Sequence, residues 1–274
     1  MCKKLLKVFA FVFVCVAIYI FADAISAFQP ASVIDADLET VKSVYAPRQE
    51  YQKLFLATGL GKRGVKDTIG QEHVNLLLER LRAQIQAPVY TKSEYIFFPT
   101  TKAEVLVDAK KHKRKLDLPP VEVGDILITK STETLLYRHG HAGIVVDENG
   151  KTVESFMLGV PSDTLNVKDW TNYSTLIILR PKERHAETAK KAALYAKDHL
   201  MKIPYNLFTG VVKKDKSANE VDSTQCAHLV WQAYYAAGLD IDGDGGWLVT
   251  PHDITKSSEL EVVFSFGFGD EAKW

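Results

Sequence analysis

Cysteine is scarce in this chain. Of three in 274 residues, Cys2 and Cys15 lie in the apolar N-terminal segment, which leaves Cys226 as the one thiol of the remaining sequence. A lone thiol excludes an intrachain disulfide framework. Net charge is missing as well: 34 basic and 34 acidic side chains cancel, so no global field points to nucleic acid or any other polyanion. The composition is neither collagenous nor that of a disordered chain. With 46% hydrophobic residues, the chain can bury a full-sized core, and one domain with an appendage is the natural expectation.

What is present begins with a leader. Lys3, Lys4 and Lys7 precede an apolar run over residues 8–22, followed by the small-x-small site Ala22-Asp23-Ala24. That is the layout of a secretory signal peptide. The run falls short of the roughly 20 residues a spanning helix needs, which favours cleavage; retention as an N-terminal anchor, and so a membrane tether, is the alternative. Val12-Phe13-Val14 before Cys15 lacks the small residues of a lipidation box. Either outcome predicts an extracytoplasmic protein, secreted or associated with the cell envelope. The chain therefore divides into residues 1–24 as leader or anchor, 25–118 as a mostly helical extension, and 119–274 as the main domain.

In the extension, helices are predicted at 37–45, 51–58 and 72–86. The last is the clearest, with Val74, Leu77, Leu78, Leu81 and Ile85 on one stripe. Tyr95-Ile96-Phe97-Phe98 reads equally as a strand or a packing segment. Lys110-Lys111-His112-Lys113-Arg114-Lys115 reads as a solvated helix end or linker, and Pro119-Pro120 marks a boundary.

Beyond it the period becomes that of strands: 123–129, 141–146, 152–156 and 174–180, at least four in an antiparallel sheet. Asp147-Glu148-Asn149-Gly150 is a turn signal, so the second and third form a hairpin. A four-residue loop would make His141 and Glu154 diagonal neighbours on one face, whereas a two-residue turn would leave them too far apart for a direct bond. Residues 183–201 form a helix with an alanine face. Cys226, Val230, Ala233, Tyr234 and Ala237 then mark a second helix, capped by Ser223 or Thr224. Asp240, Asp242, Asp244 and Gly245 match the first half of an EF-hand loop, but its twelfth position falls on Pro251 instead of a bidentate Glu, so a turn is expected.

A thiol in the first turn of a helix meets unpaired amide groups and the positive dipole end, which favour the nucleophilic thiolate. It also needs a base, and the base needs an orienting acceptor. His141 with Glu154 supplies both. His139, two residues away, competes for the base's place; His141 is preferred because it opens an apolar strand. His228 lies about 200° around the helix axis from Cys226 and is expected to be structural.

Together, Gly124-Asp125-Ile126-Leu127, His141-Ala142-Gly143-Ile144-Val145, Val153-Glu154-Ser155, Pro204-Tyr205-Asn206 and Cys226-Ala227-His228-Leu229-Val230-Trp231 resemble the permuted, YiiX-like branch of the NlpC-type cysteine hydrolases. The resemblance spans roughly residues 119–258. Leu54-Phe55 with Thr58-Gly59-Leu60 echoes more loosely the helical extension of exported Firmicute members. It implies an α+β fold: a circularly permuted papain-like antiparallel sheet with flanking helices, preceded by the extension. It further implies Cys226 as nucleophile, His141 as base, Glu154 as the residue orienting it, and Tyr205 as a wall of the substrate cleft, where His139 is placed too. No metal or organic cofactor is required. The expected substrates are amide bonds, such as those of cell-wall peptides. The string Cys226-Ala227-His228-Leu229-Val230 also resembles the box of the lecithin:retinol acyltransferase relatives, which keeps lipid acyl chemistry open. A catalytically inactive envelope-binding module is the non-enzymatic alternative. Specificity walls are expected from loops 158–170, 213–222 and 245–252.

Overall fold

The computed structural model describes residues 48–68, 73–98, 100–135, 137–209 and 221–268, with Phe11, Phe13, Val14, Cys15 and Ile18. The predicted leader and the helix expected at 37–45 lie outside the described residues, apart from those five positions. No helix among the described residues is long and apolar enough to cross a membrane.

Three helices open the fold: α1 (Arg48–Thr58), α2 (Lys62–Thr68) and α3 (Val74–Gln86). They are followed by strands β1 (Tyr90–Phe97) and β2 (Thr101–Val107), so the extension is less helical than the sequence suggested. The apolar run at Tyr95 is one arm of this hairpin. Next come β3 (Ile126–Thr129), β4 (Thr132–Thr134), β5 (His141–Val145), β6 (Lys151–Glu154) and β7 (Asp163–Asn166). The short α4 (Val167–Trp170) leads into β8 (Leu176–Pro181). A 3-10 turn over Glu183–His185 opens the alanine helix α5 (Ala186–His199). The chain closes with α6 (Cys226–Ala236), α7 (Pro251–Thr255) and β9 (Leu260–Phe266).

The main sheet is antiparallel throughout, in the order β7-β6-β5-β3-β8-β9. Its central strands are buried on both faces, and their side chains sort by the two-residue period of a strand. Ile126, Ile128, Ile177 and Leu179 face a core shared with α5 and α6, where Ala189, Ala192, Ala193 and Ala196 allow close approach. Leu127, Leu176 and Ile178 face the opposite core, where Leu54, Leu60, Val65 and Leu81 of the extension pack. Residues before and after 119 thus share a hydrophobic core. Double burial also explains why these strands read as unbroken apolar runs instead of alternating ones.

The extension also covers an edge. The Gly61 amide donates to the Val263 carbonyl (3.0 Å) and the Ser265 amide to the Gly59 carbonyl (2.8 Å), pairing the outer side of β9. A Cβ on Gly61 would lie 2.0 Å from the Val262 carbonyl oxygen, so only glycine allows this approach. β2 joins β1 to β4, a strand that follows β3 in the chain, in a separate three-stranded sheet. Neither β4, β7 nor β9 was anticipated from the sequence.

Arg180 ties the layers together. Its Nε and Nη2 donate to the two carboxylate oxygens of buried Asp125, each at 2.7 Å. Its Nη1 reaches Asp67 of α2 at 2.6 Å and Glu122 at 2.7 Å. Removing one partner of a buried pair strands the other charge in a low dielectric. Arg180→Met is therefore expected to destabilise the fold by about 3–5 kcal/mol, read as a lowered urea midpoint. A loss below about 1 kcal/mol, the range of surface pairs, would show that the pair is not structural.

Candidate active site

The hairpin of β5 and β6 sets the first two residues. Ile144 pairs with Val153, Val145 with Thr152, and the Val146 amide bonds the Lys151 carbonyl at 2.8 Å, so the loop holds four residues. In this register His141 and Glu154 are diagonal neighbours. Nε2 of His141 and Oε2 of Glu154 are 2.7 Å apart, with both side chains buried. Cys226, at the N-terminus of α6, lies close enough to the ring to raise its proton affinity. Glu154 occupies Nε2, which leaves Nδ1 for the thiol. The sheet and a helix packed against it thus bring Cys226, His141 and Glu154 together.

Glu154 is held by more than histidine. Its Oε1 accepts a hydrogen bond from Trp170 Nε1 at 2.7 Å and another from the Thr152 hydroxyl. The Trp170 ring stacks on His141, centroids 5.0 Å apart and planes 14° apart, while Phe156 meets the imidazole edge-on at 5.2 Å. A Cβ on Gly143 would come within 2.8 Å of Glu154 Cγ and 2.9 Å of Trp170 Cζ2. Glycine there makes room for both. Burial acts to lower the His141 pKa, but the interactions with Cys226 and Glu154 and their charges outweigh it, raising the ring from 6.5 to about 9.

The cap of α6 is Gln225, not Ser223 or Thr224. Its Oε1 accepts from the Ala227 amide at 3.0 Å and from the Cys226 thiol at 3.5 Å, while its Nε2 donates to the Val249 carbonyl at 2.6 Å. Thr224 is used elsewhere, in a 3.0 Å contact between its hydroxyl and His228 Nδ1 that fits the structural part expected of this histidine. Pro204-Tyr205-Asn206 is clamped beside it: the Thr224 amide donates to the Pro204 carbonyl (3.0 Å) and the Asn206 amide to the Thr224 carbonyl (2.7 Å). That clamp brings Tyr205 to the thiol, and burial together with the charge of Cys226 pushes its hydroxyl pKa upward.

A cleft of about 260 Å³ opens over Cys226, lined by Tyr205, His139, Tyr137, Leu207, Gln225 and the 248–251 segment. His139 belongs to this wall and is not placed as a base. Its Nε2 lies 3.0 Å from the Thr134 hydroxyl and its Nδ1 2.6 Å from the Gly140 carbonyl, so both nitrogens are committed. Burial and the neighbouring His141 charge lower its pKa, against the bond to Gly140. The Asp240 stretch forms stacked turns, in which the Asp242 amide bonds Asp240 Oδ1 at 3.0 Å and the Asp244 amide bonds Asp242 Oδ1 at 3.4 Å. Asp240 Oδ1 also accepts from Trp231 Nε1 at 2.8 Å.

Comparison with known proteins adds one relative. The chain is 33% identical over 154 residues to "Uncharacterized protein YycO" of Bacillus subtilis (strain 168), an alignment covering 54% of this chain and 58% of that protein. The chain thus spans little more than half of that relative's length. No family model matches. No solved structure matches either.

Sequence reasoning missed Trp170, Thr152, Gly143 and Gln225. Thr152 was within reach, because it sits two residues before Glu154 and so on the same face of β6. Trp170 was not, since residues 158–170, expected as a specificity loop, fold partly into β7 and α4 and turn the indole inward. Loop 213–222 lies outside the described residues except for its last two positions.

The raised histidine predicts a pH dependence. Because its folded value exceeds 6.5, the stability it contributes is complete below that pH and is lost as pH rises through about 9. Glu154→Gln should lower the NMR titration midpoint of the His141 ring and flatten the fall of the unfolding midpoint over this window. An unchanged midpoint would show that Glu154 does not support the charge.

Proposed function

We propose that the protein is an exported cysteine hydrolase with a circularly permuted papain-like domain, acting on amide bonds such as those of peptidoglycan stem peptides. One observation carries the reading: a buried imidazole bonded to a carboxylate lies beside a thiol at a helix N-terminus, under an open cleft. The chain order supports it, since histidine and glutamate come from a hairpin that precedes the cysteine helix, as in the permuted branch.

In this mechanism the thiol proton passes to His141, and sulfur attacks the substrate carbonyl carbon to form a tetrahedral adduct. Collapse breaks the C–N bond, and His141 returns the proton to the leaving amine. His141 then takes a proton from water, whose oxygen displaces sulfur from the thioester and releases the acid with free Cys226. Glu154 keeps the ring oriented and supports its charge, while Trp170 and Thr152 keep Glu154 in place. The stacked indole further limits rotation of the imidazole.

The surroundings of the cleft favour a second reading, in which the substrate carries an acyl chain. Tyr137 and Leu207 line the cleft and are exposed, and Leu135, Phe208 and Trp247 stand beside lining residues with more than half of their surface in water. Exposed apolar clusters next to a pocket mark contact with apolar partners. A lipid ester would then give the same thioester on Cys226. Acyl-labelled phospholipid should leave label on the protein only in this case, whereas muropeptides should release free amine in the first.

Cys226→Ala is expected to reduce turnover of the accepted substrate at least about 10³-fold with the fold intact by circular dichroism. Unchanged hydrolysis of muropeptides and phospholipid by this variant would end the proposal. The rate should fall as pH rises through about 9, where His141 loses the proton it must donate. Wild-type protein treated with iodoacetamide near neutral pH should be alkylated at Cys226 and inactivated together.

A further inference from the structure

We propose that a second pocket, built between the extension and the main sheet, binds a phosphate group. This cavity of about 430 Å³ shares no lining residue with the cysteine cleft. Lys62, Arg63 and Lys66 of α2 enter it from one side, and Lys182 and Arg184 from the segment after β8 on the other. Two carboxylates, Glu183 and Glu261, share the wall. Five cations against two acids stand out in a chain whose charges cancel overall.

The decisive group is Arg63. Its side chain is only 12% exposed, and its Nε donates to Asp67 at 2.7 Å. Nη1 is buried and makes no hydrogen bond. The nearest carboxylates, Glu183 and Glu261, are 3.6 and 4.0 Å away, and both are largely in solvent. Buried donors are nearly always satisfied, and a guanidinium presents a planar fork that fits phosphate oxygens.

The other cations divide into two sets. Lys66 pairs with Glu183, and Arg184 pairs with Glu259. Lys62 sits over the Tyr51 ring at 5.3 Å, and among the described residues the Lys182 ammonium forms no ion pair. Lys62, Lys182 and the Arg63 Nη1, which has two carboxylates nearby but no hydrogen bond, therefore remain to bond an anion. The rim glutamates suit a ligand that carries hydroxyl or amine donors beside its phosphate, such as a glycerol phosphate group. Its source would be a soluble phosphate ester or a phospholipid headgroup. Because the cations come from both halves of the chain, the ligand would bridge α2 and the segment after β8.

Calorimetry on the full chain at low salt, with inorganic phosphate and then glycerol 3-phosphate, tests the proposal. Sedimentation with phosphatidylglycerol or phosphatidylcholine vesicles separates the sources. The expected result is binding that weakens with added salt and at least about tenfold in a Lys62→Ser, Lys182→Ser double variant. Arg63→Gln should weaken it as well. The double variant removes no ion pair among the described residues and only the Lys62 contact with the Tyr51 ring, so its unfolding midpoint should stay close to the parent's. Saturable binding of the soluble ester alone identifies that source; variant-sensitive sedimentation with phosphatidylglycerol alone identifies the headgroup. Absence of binding to all probes, or binding that the double variant leaves unchanged, overturns the proposal. The outcome is independent of the hydrolase reading, because Cys226→Ala should bind the probes like the parent.

Discussion

A carboxylate buried in the middle of the molecule sets the terms for the site. An ionised Glu154 without partners would be prohibitively costly to desolvate. It persists because His141, Trp170 and the Thr152 hydroxyl all bond it. Each donor constrains a different part of the chain: the register of the β5–β6 hairpin, the face of β6, and the turn of α4. The space for the carboxylate comes from Gly143, where any side chain would strike Glu154 or Trp170. The imidazole gains its orientation and its raised proton affinity from this arrangement.

The extension completes this framework. Its helices add Leu54, Val65 and Leu81 to the core on one sheet face, and its glycine-marked turn pairs the outer edge of β9. The salt-bridge cluster at Arg180 joins α2 to the residues preceding β3, and the cationic pocket opens beside the same helix. A charged seam therefore runs along the junction. The cysteine cleft has an apolar mouth formed by loops of the main domain. The two concavities thus differ in chemistry as well as place.

Much of the fold was legible where local periodicity and burial agree. The hairpin could be read because its turn residues and apolar runs restrict the register to a few choices, and the alanine helix because small residues repeat at helical spacing. The extension was harder. β1 carries exposed aromatics, and β4 is three residues long, so neither shows a clean strand period. The cap of the cysteine helix was misassigned to Ser223 or Thr224. Short hydroxyl side chains are the usual caps, but here the tertiary clamp with Pro204-Tyr205-Asn206 takes Thr224 and leaves Gln225 to fold back on the helix.

The sequence by itself determined the mixed α+β class, the isolation of Cys226 at a helix start, and the parity that sets His141 and Glu154 on one face. These follow from spacing along a single element or hairpin, which the backbone geometry of helices and strands makes predictable. Only the tertiary structure decided that His139 turns to Thr134 and Gly140, that Trp170 swings inward to hold Glu154, and that Arg63 faces a pocket with a nitrogen that makes no hydrogen bond. Each depends on groups far apart in the chain, brought together by packing that no local pattern encodes.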